Sequence, residues 1–188
     1  MGSATVPLTW ADQLPHRPRR VVVTGCSGSG KTTVAAALSG VFGVPHHELD
    51  ALFHGPDWTP RPTFVAEVAA IAASDAWVVE WQYGQVRPLL LRRADLLVWL
   101  DLSRARVFSQ LVRRTVARRL GRVELWNGNR EPPLYTIFTD SEHVVRWAWN
   151  AYPRVGLRVR EVLEGADPPV VVRLRSRGEI RRWLAGLR

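Results

Sequence analysis

A chain of 188 residues that is 46% hydrophobic and 23% charged has apolar sequence enough for the core of one globular domain and too much for a disordered one. No apolar run approaches the roughly 18 residues of a membrane span, and a single cysteine, Cys26, excludes an internal disulfide. A formal net charge of +9, with a pI near 11.2, favours polyanionic partners; nucleotides, phosphorylated substrates and nucleic acid all qualify.

Asp12, Pro15 and nearby basic residues interrupt the apolar core that a secretory leader requires, so the expected compartment is the cytoplasm. Residues 1–19 hold Pro7, Pro15 and Pro18 without periodicity and read as an extension, packed through Leu8, Trp10 and Leu14. Residues 20–24, Arg-Val-Val-Val-Thr, read as a buried parallel strand. A helix follows from Thr33 to about Leu38 or Phe42, with Gly40 and Gly43 as stop signals.

A second strand is expected over Pro45 to Leu49, ending at Asp50, followed by a Pro- and Gly-rich loop at 53–60. Phe64, Val65, Val68, Ile71 and Ala72 have helical spacing and predict a helix over 63–73. Trp77 to Glu80 is a third strand ending in a carboxylate. Tyr83 to Arg93 is loop and helix, and Leu96 to Leu100 is a fourth strand ending at Asp101. Ser103 is placed to cap a helix that buries Val107, Phe108, Leu111 and Val112 and carries Arg106, Arg113, Arg114, Arg118 and Arg119 on its other side.

Residues 121–135 form a loop by their Asn-Gly-Asn and Pro-Pro steps. Thr139 to Glu142 resembles a capping box opening a helix that Pro153 kinks or breaks, with a further helix to about Leu163. Val170 to Leu174 is a fifth strand, and Ser176 with Glu179 caps a last helix ending near Leu187. Apolar strands alternating with helices predict a parallel sheet covered on both faces, whose ligands sit at the carboxyl ends of the strands.

Between the first strand and its helix lies Gly25-Cys26-Ser27-Gly28-Ser29-Gly30-Lys31-Thr32, the phosphate-binding pattern G-x-x-x-x-G-K-[ST]. The glycines let successive N–H groups turn inward as an anion nest, and the helix N-terminus adds partial positive charge. Lys31, the only lysine in the chain, would reach the β- and γ-phosphates, and the Thr32 hydroxyl would hold Mg²⁺. Gly25 to Thr33 is thus the expected nucleotide-binding set, with ATP and Mg²⁺ as cofactors.

Glu80 ends an apolar strand on the same edge and is the expected carboxylate supporting Mg²⁺, directly or through water. Asp50 would bind an acceptor hydroxyl or take its proton. Asp101 reads as a cap or turn anchor ahead of a catalytic group. Arg114 and Arg118 are four apart, share one helix face and have the fork geometry that phosphoryl oxygens take. Arg87 could grip the acceptor, with Trp81 and Tyr83 beside it, and Trp81 and Trp126 could stack on a base. His46 and His47, adjacent on a strand, point to opposite faces and read as structural rather than as metal ligands. Cys26 reads as a passive loop position, although a helix N-terminus can lower a thiol pKa.

The P-loop, Leu49-Asp50, Pro56-Asp57-Trp58, Trp77 to Tyr83, Arg87, Ala94-Asp95, Leu100-Asp101-Leu102 and Arg114-Thr115-x-x-Arg118, in that order, resemble the adenylate-kinase-like P-loop proteins often labelled topology modulation protein. These stand within the wider nucleoside monophosphate, shikimate and gluconate kinase group, and the resemblance covers about residues 20–188. It implies a three-layer α/β/α domain with a five-stranded parallel sheet of order 2-3-1-4-5. It also implies an acceptor-binding region near 51–76 and a helical lid near 119–139. By the same resemblance Arg114 and Arg118 clamp the ATP phosphates and the loop at Arg175 lies near the adenine. The third strand of this group commonly ends in Asp-Gly; here Glu80-Trp81 stands in that place, which reshapes the acceptor pocket. The expected activity is transfer of the ATP γ-phosphoryl to a small nucleoside-like or anionic acceptor by a monomer or homodimer. The alternative is an ATP-binding regulator with slow ATPase activity that binds DNA or a protein.

Overall fold

The computed structural model describes residues 5–121, 123–129 and 144–187. The expected lid beyond residue 129, and the capping box at Thr139 to Glu142, lie outside the described residues. Five strands, β1 (Arg20–Gly25), β2 (His46–His47), β3 (Trp77–Glu80), β4 (Leu96–Leu100) and β5 (Val170–Leu174), form one parallel sheet in the order β2-β3-β1-β4-β5. The expected three-layer α/β/α architecture and strand order are therefore present. The central strands are buried on both faces, which is why they read as unbroken apolar runs rather than alternating ones.

One face of the sheet is covered by α1 (Lys31–Phe42), by the start of α5 (Arg104–Leu120) and by α7 (Arg177–Gly186), through Val34, Leu38, Val107, Leu111, Ile180 and Trp183. The other face is covered by α3 (Phe64–Ala73), α4 (Arg87–Leu91) and α6 (Val144–Leu163), through Phe64, Val68, Leu90, Val159 and Val162. Trp77 is fully buried in this second layer. The amino-terminal segment adds to the far edge of the sheet. Leu8 N–H donates to the Val171 carbonyl at 2.7 Å, and Arg173 N–H donates to the Leu8 carbonyl at 2.8 Å. Leu8 and Leu14 pack against the first layer, whereas Trp10 is 38% exposed beneath the Arg182 guanidinium.

Three local expectations are corrected. The second strand does not run to Leu49: only His46 and His47 pair with β3, and Leu49–Phe53 forms the short helix α2, with Asp50 in its first turn. Ser103 precedes α5 but its hydroxyl makes no cap bond. Pro153 neither breaks nor ends α6, which passes through it from Val144 to Leu163.

The last of these has a visible physical reason. Proline has no N–H to donate to the carbonyl four residues back, here that of Trp149. The Arg104 guanidinium fills that place, donating from Nη2 to the Trp149 carbonyl at 2.9 Å and lying 3.4 Å over its indole. Arg104→Met is therefore expected to lower stability by about 1 kcal/mol. In a Pro153→Ala background the cost should shrink, because the substituted alanine supplies its own N–H. Urea unfolding of the four proteins measures this coupling, and equal losses in both backgrounds would contradict it.

The first half of the expected capping box at the last helix forms, with the Ser176 hydroxyl accepting from Glu179 N–H at 3.1 Å, while the Glu179 carboxylate accepts from Arg175 N–H, one residue before the cap, at 2.8 Å. No helix among the described residues is long and apolar enough to cross a membrane.

Candidate active site

The P-loop leaves the end of β1 and turns into α1. Gly28 has φ +87°, and a Cβ there would stand 2.8 Å from the Val107 carbonyl and 2.9 Å from Leu111 Cβ, so only glycine lets α5 press against the loop. Gly30, φ +91°, occupies the N-cap of α1 and offers no side chain to its first turn. The first amides of that helix are thus left without a side-chain cap, and the helix dipole adds to their positive potential. An anion fits here. Ser29 N–H closes the turn on the Cys26 carbonyl at 3.0 Å. Thr32 and Thr33 are exposed on the first turn.

Lys31 Nζ lies 3.4 Å from the Cys26 carbonyl. Burial pushes its ammonium below the ordinary lysine value; Asp50, Cys26 and Glu80 oppose that shift, and Arg114 adds to it. Two carboxylates and an arginine from three separate elements therefore act on one ammonium. Cys26 is 6% exposed, and burial raises its thiol despite the neighbouring Lys31. The helix N-terminus does not produce a reactive thiolate here.

Glu80 ends β3 at 2% exposure. Burial pushes its carboxyl up, but the hydrogen bond and charge of His46, a backbone contact and the Thr32 hydroxyl together bring it below the ordinary glutamate value. The His46 Nε2 to Glu80 Oε1 distance is 3.2 Å. Glu80 Oε2 is buried and has no hydrogen-bond partner among the described residues. An orphaned carboxylate oxygen beside a threonine hydroxyl is the hard-oxygen environment that Mg²⁺ takes together with phosphate oxygens and water, so the residues fit the ion. Among the described residues no group of three or more His, Cys, Asp or Glu could hold a metal by itself.

On the other side of the groove Asp50 is held by two donors. Gln82 Nε2 and the Tyr83 hydroxyl both reach Oδ1, at 2.7 and 2.5 Å. Tyr83 has φ +59°, a conformation costly for an aromatic residue, and is stacked on Phe53 with ring centroids 4.3 Å apart. Burial, followed by the charge and hydrogen bond of Asp50, pushes the Tyr83 hydroxyl far up, so it remains a neutral donor. It also lies 3.2 Å from His54 Nε2. Trp81 does not offer an open face to an acceptor. It is 8% exposed within the second core layer and its indole N–H donates to the Arg87 carbonyl at 3.0 Å, so it sets the start of α4. The Arg87 guanidinium lies 6.0 Å from the centre of that indole.

The segment after α5 crosses to this groove. Trp126–Gly128 forms a 3-10 turn, as Pro56–Trp58 does, and each has a left-handed middle residue, Asn127 and Asp57. The two turns interlock. Asn129, 5% exposed, accepts from Trp58 N–H at 2.9 Å and donates to the Gly55 carbonyl at 2.8 Å, while Asn127 donates to the His54 carbonyl. Trp126 donates to Glu48 Oε2 at 2.9 Å and stacks over His54, with its ring centre 6.0 Å from the Arg118 guanidinium. Trp126 thus reaches the site, but its polar edge is engaged by Glu48.

Arg114 is exposed and Arg118 half-buried on the flank of α5 facing this region. Arg175 is exposed in the turn between β5 and α7. Asp101 is committed to structure: its Oδ2 accepts from Arg173 Nε at 2.8 Å and from Nη2 of the same guanidinium. Sequence reasoning missed His54, Glu48 and Asn129, which carry no motif, and gave Gln82 no role although it lies within the Trp77 to Tyr83 motif. It also missed the pairing of His46 with Glu80, which register alone could have exposed.

No family model matches the chain, and no curated protein matches it. Solved structures do. A gluconokinase from Sinorhizobium meliloti 1021 aligns over 91% of this chain and 92% of its own, at 23% identity and TM-score 0.51. A shikimate kinase from Bacteroides thetaiotaomicron aligns over 90% and 96%, at 15% identity and TM-score 0.51. Strand order, helix layers and these neighbours agree that the chain has the fold of the small-molecule P-loop kinases.

Proposed function

We propose that the protein transfers the γ-phosphoryl group of ATP to a small nucleoside-like or anionic acceptor. The observation that carries the reading is the uncapped glycine turn that leads into α1 with Lys31 at its start, facing the sheet edge where Glu80 ends β3 buried, with one carboxylate oxygen unpartnered among the described residues. In phosphoryl transfer the protein has little covalent work to do; it positions the reactants and balances charge. The loop amides and Lys31 hold the triphosphate. Thr32 and Glu80 hold Mg²⁺, which when bound neutralises charge on the β- and γ-oxygens. Arg114 and Arg118 face the transferring group. Asp50, oriented by Gln82 and Tyr83, receives the acceptor hydroxyl, and Arg87, the first residue of α4, grips the acceptor.

The gluconokinase and shikimate kinase neighbours support a small polar acceptor for this chain. The test is a screen of sugar acids, hydroxy acids, nucleosides and nucleoside monophosphates for acceptor-dependent ADP release. One class should raise ADP release well above the rate with water alone. If no acceptor does so while ATP is slowly hydrolysed, the reading as a nucleotide-dependent regulator replaces this one.

A further inference from the structure

We propose that His46 is a positioning residue for the metal-side carboxylate, fixing Glu80 through one oxygen so that the other remains available to Mg²⁺ or its bound water. The inference rests on the nucleotide-site reading above and adds to it a residue that no motif marks.

The placement follows from register. In a parallel sheet, paired residues on neighbouring strands point to the same face, and faces alternate along each strand. His46 pairs with Val78, and His47 with Val79. Val78 belongs to the core layer shared with α1, and Glu80, two residues on, points to that same face. His46 therefore stands on the P-loop side of the sheet and His47 on the other. A neighbouring pair of histidines that looks redundant in the sequence is split by the pleat into two different environments.

The geometry then does two things. The Nε2 of His46 lies 3.2 Å from Glu80 Oε1, with the two side chains 12% and 3% exposed. Water is largely excluded, so a buried carboxylate here needs a fixed donor or it adopts whatever rotamer satisfies it elsewhere. With Nε2 carrying the proton, the ring donates to Oε1 and defines the carboxylate plane. Oε2 is then left buried and without a hydrogen-bond partner among the described residues, beside the exposed first turn of α1 that carries Thr32. An unsatisfied buried acceptor is costly to fold unless a ligand completes it. The cation that accompanies a bound triphosphate is the natural candidate. Imidazole–carboxylate pairs that orient a metal-side ligand are worth roughly 10- to 100-fold in metal affinity.

The shortness of β2 fits this role. Only two residues pair with β3, and the chain then turns directly into α2, which carries Asp50. The strand is just long enough to set His46 against Glu80 and deliver Asp50 to the opposite side of the groove.

The experiment is calorimetry of ATP binding with and without Mg²⁺ for wild type, His46→Phe and His46→Gln. Phenylalanine keeps the ring volume but removes the donor; glutamine restores a donor at the reach of Nε2. The expected result is that Mg²⁺ strengthens wild-type binding, that His46→Phe loses roughly tenfold of that enhancement with metal-free affinity unchanged, and that His46→Gln recovers most of it. An enhancement in His46→Phe within about twofold of wild type overturns the proposal and leaves the nucleotide site standing. An equal fall in metal-free and Mg²⁺-supported affinity also overturns it, because that is the signature of packing damage. Absence of ATP binding by the wild type overturns instead the reading on which the proposal rests.

Discussion

Lys31→Ala is expected to abolish acceptor-dependent turnover, lowering kcat/KM for ATP by on the order of 10³, while leaving the fold intact. The asymmetry comes from the environment of the ammonium. Burial opposes its charge in the folded protein, and the carboxylates of Asp50 and Glu80 and the neighbourhood of Cys26 offset part of that penalty. Arg114 adds to the penalty. A triphosphate would supply the missing negative charge, so the site is electrostatically incomplete until one binds.

The sign of the stability effect follows. A lysine whose folded value lies below its unfolded value binds fewer protons folded than unfolded at intermediate pH, so stability rises with pH across that interval. Removing Lys31 should flatten that rise and leave the neutral-pH unfolding midpoint unchanged or higher. Unfolding curves at several pH values, alongside steady-state kinetics, check both parts. A variant that loses activity only because it unfolds would show a lowered midpoint at all pH values.

Arg114→Ala is expected to lower kcat by about 10³ with a much smaller change in the KM for ATP, because an arginine facing the transferring group acts chiefly as charge spreads over its equatorial oxygens. The side chain is exposed, so its removal opens no cavity. Its charge nevertheless acts on Lys31. Arg118→Ala should show the same fall in kcat together with a rise in the acceptor KM. Arg118 lies against Trp126, and Trp126 is tied to Glu48 and stacked over His54. Substitution by lysine should recover only part of the loss at either position, since an ammonium lacks the planar fork. Equal KM and kcat effects at both positions would argue that the two arginines act as one general patch of positive charge.

The parts of the fold legible in the sequence were those where one physical cause dominated. β3 and β4 are buried along their whole length and β1 along all but its ends, so their apolar runs had no competing reading. The P-loop was legible because its glycines sit at fixed spacing where left-handed backbone and close approach both demand glycine. β2 was not legible, because two paired residues are too few for a pattern and Leu49-Asp50-Ala51-Leu52-Phe53 is apolar enough for either strand or helix. Pro153 misled for a related reason. The donor that replaces its missing N–H comes from Arg104, far from it in the chain, and no local rule contains it.

The candidate site divides the same way. Lys31 and Thr32 could be placed from the P-loop pattern and Glu80 from the end of its strand; Asp50 was expected at a strand end and reaches the same groove from the first turn of α2 instead. Trp81 could not be placed correctly, since a tryptophan after a strand-end carboxylate can turn to the groove or to the core. The core took it, through Val86 and Leu90 in the same layer and a hydrogen bond to the Arg87 carbonyl. The interlocked turns at 55–58 and 125–129 were invisible because they are recognised by backbone shape and one buried asparagine, Asn129.

Isothermal titration of the purified protein with ATP, in the presence and absence of Mg²⁺, tests the central claim most directly. Saturable binding that Mg²⁺ strengthens and Lys31→Ala removes is the predicted result. No measurable heat for ATP or GTP under either condition, from protein with an intact unfolding transition, would contradict it.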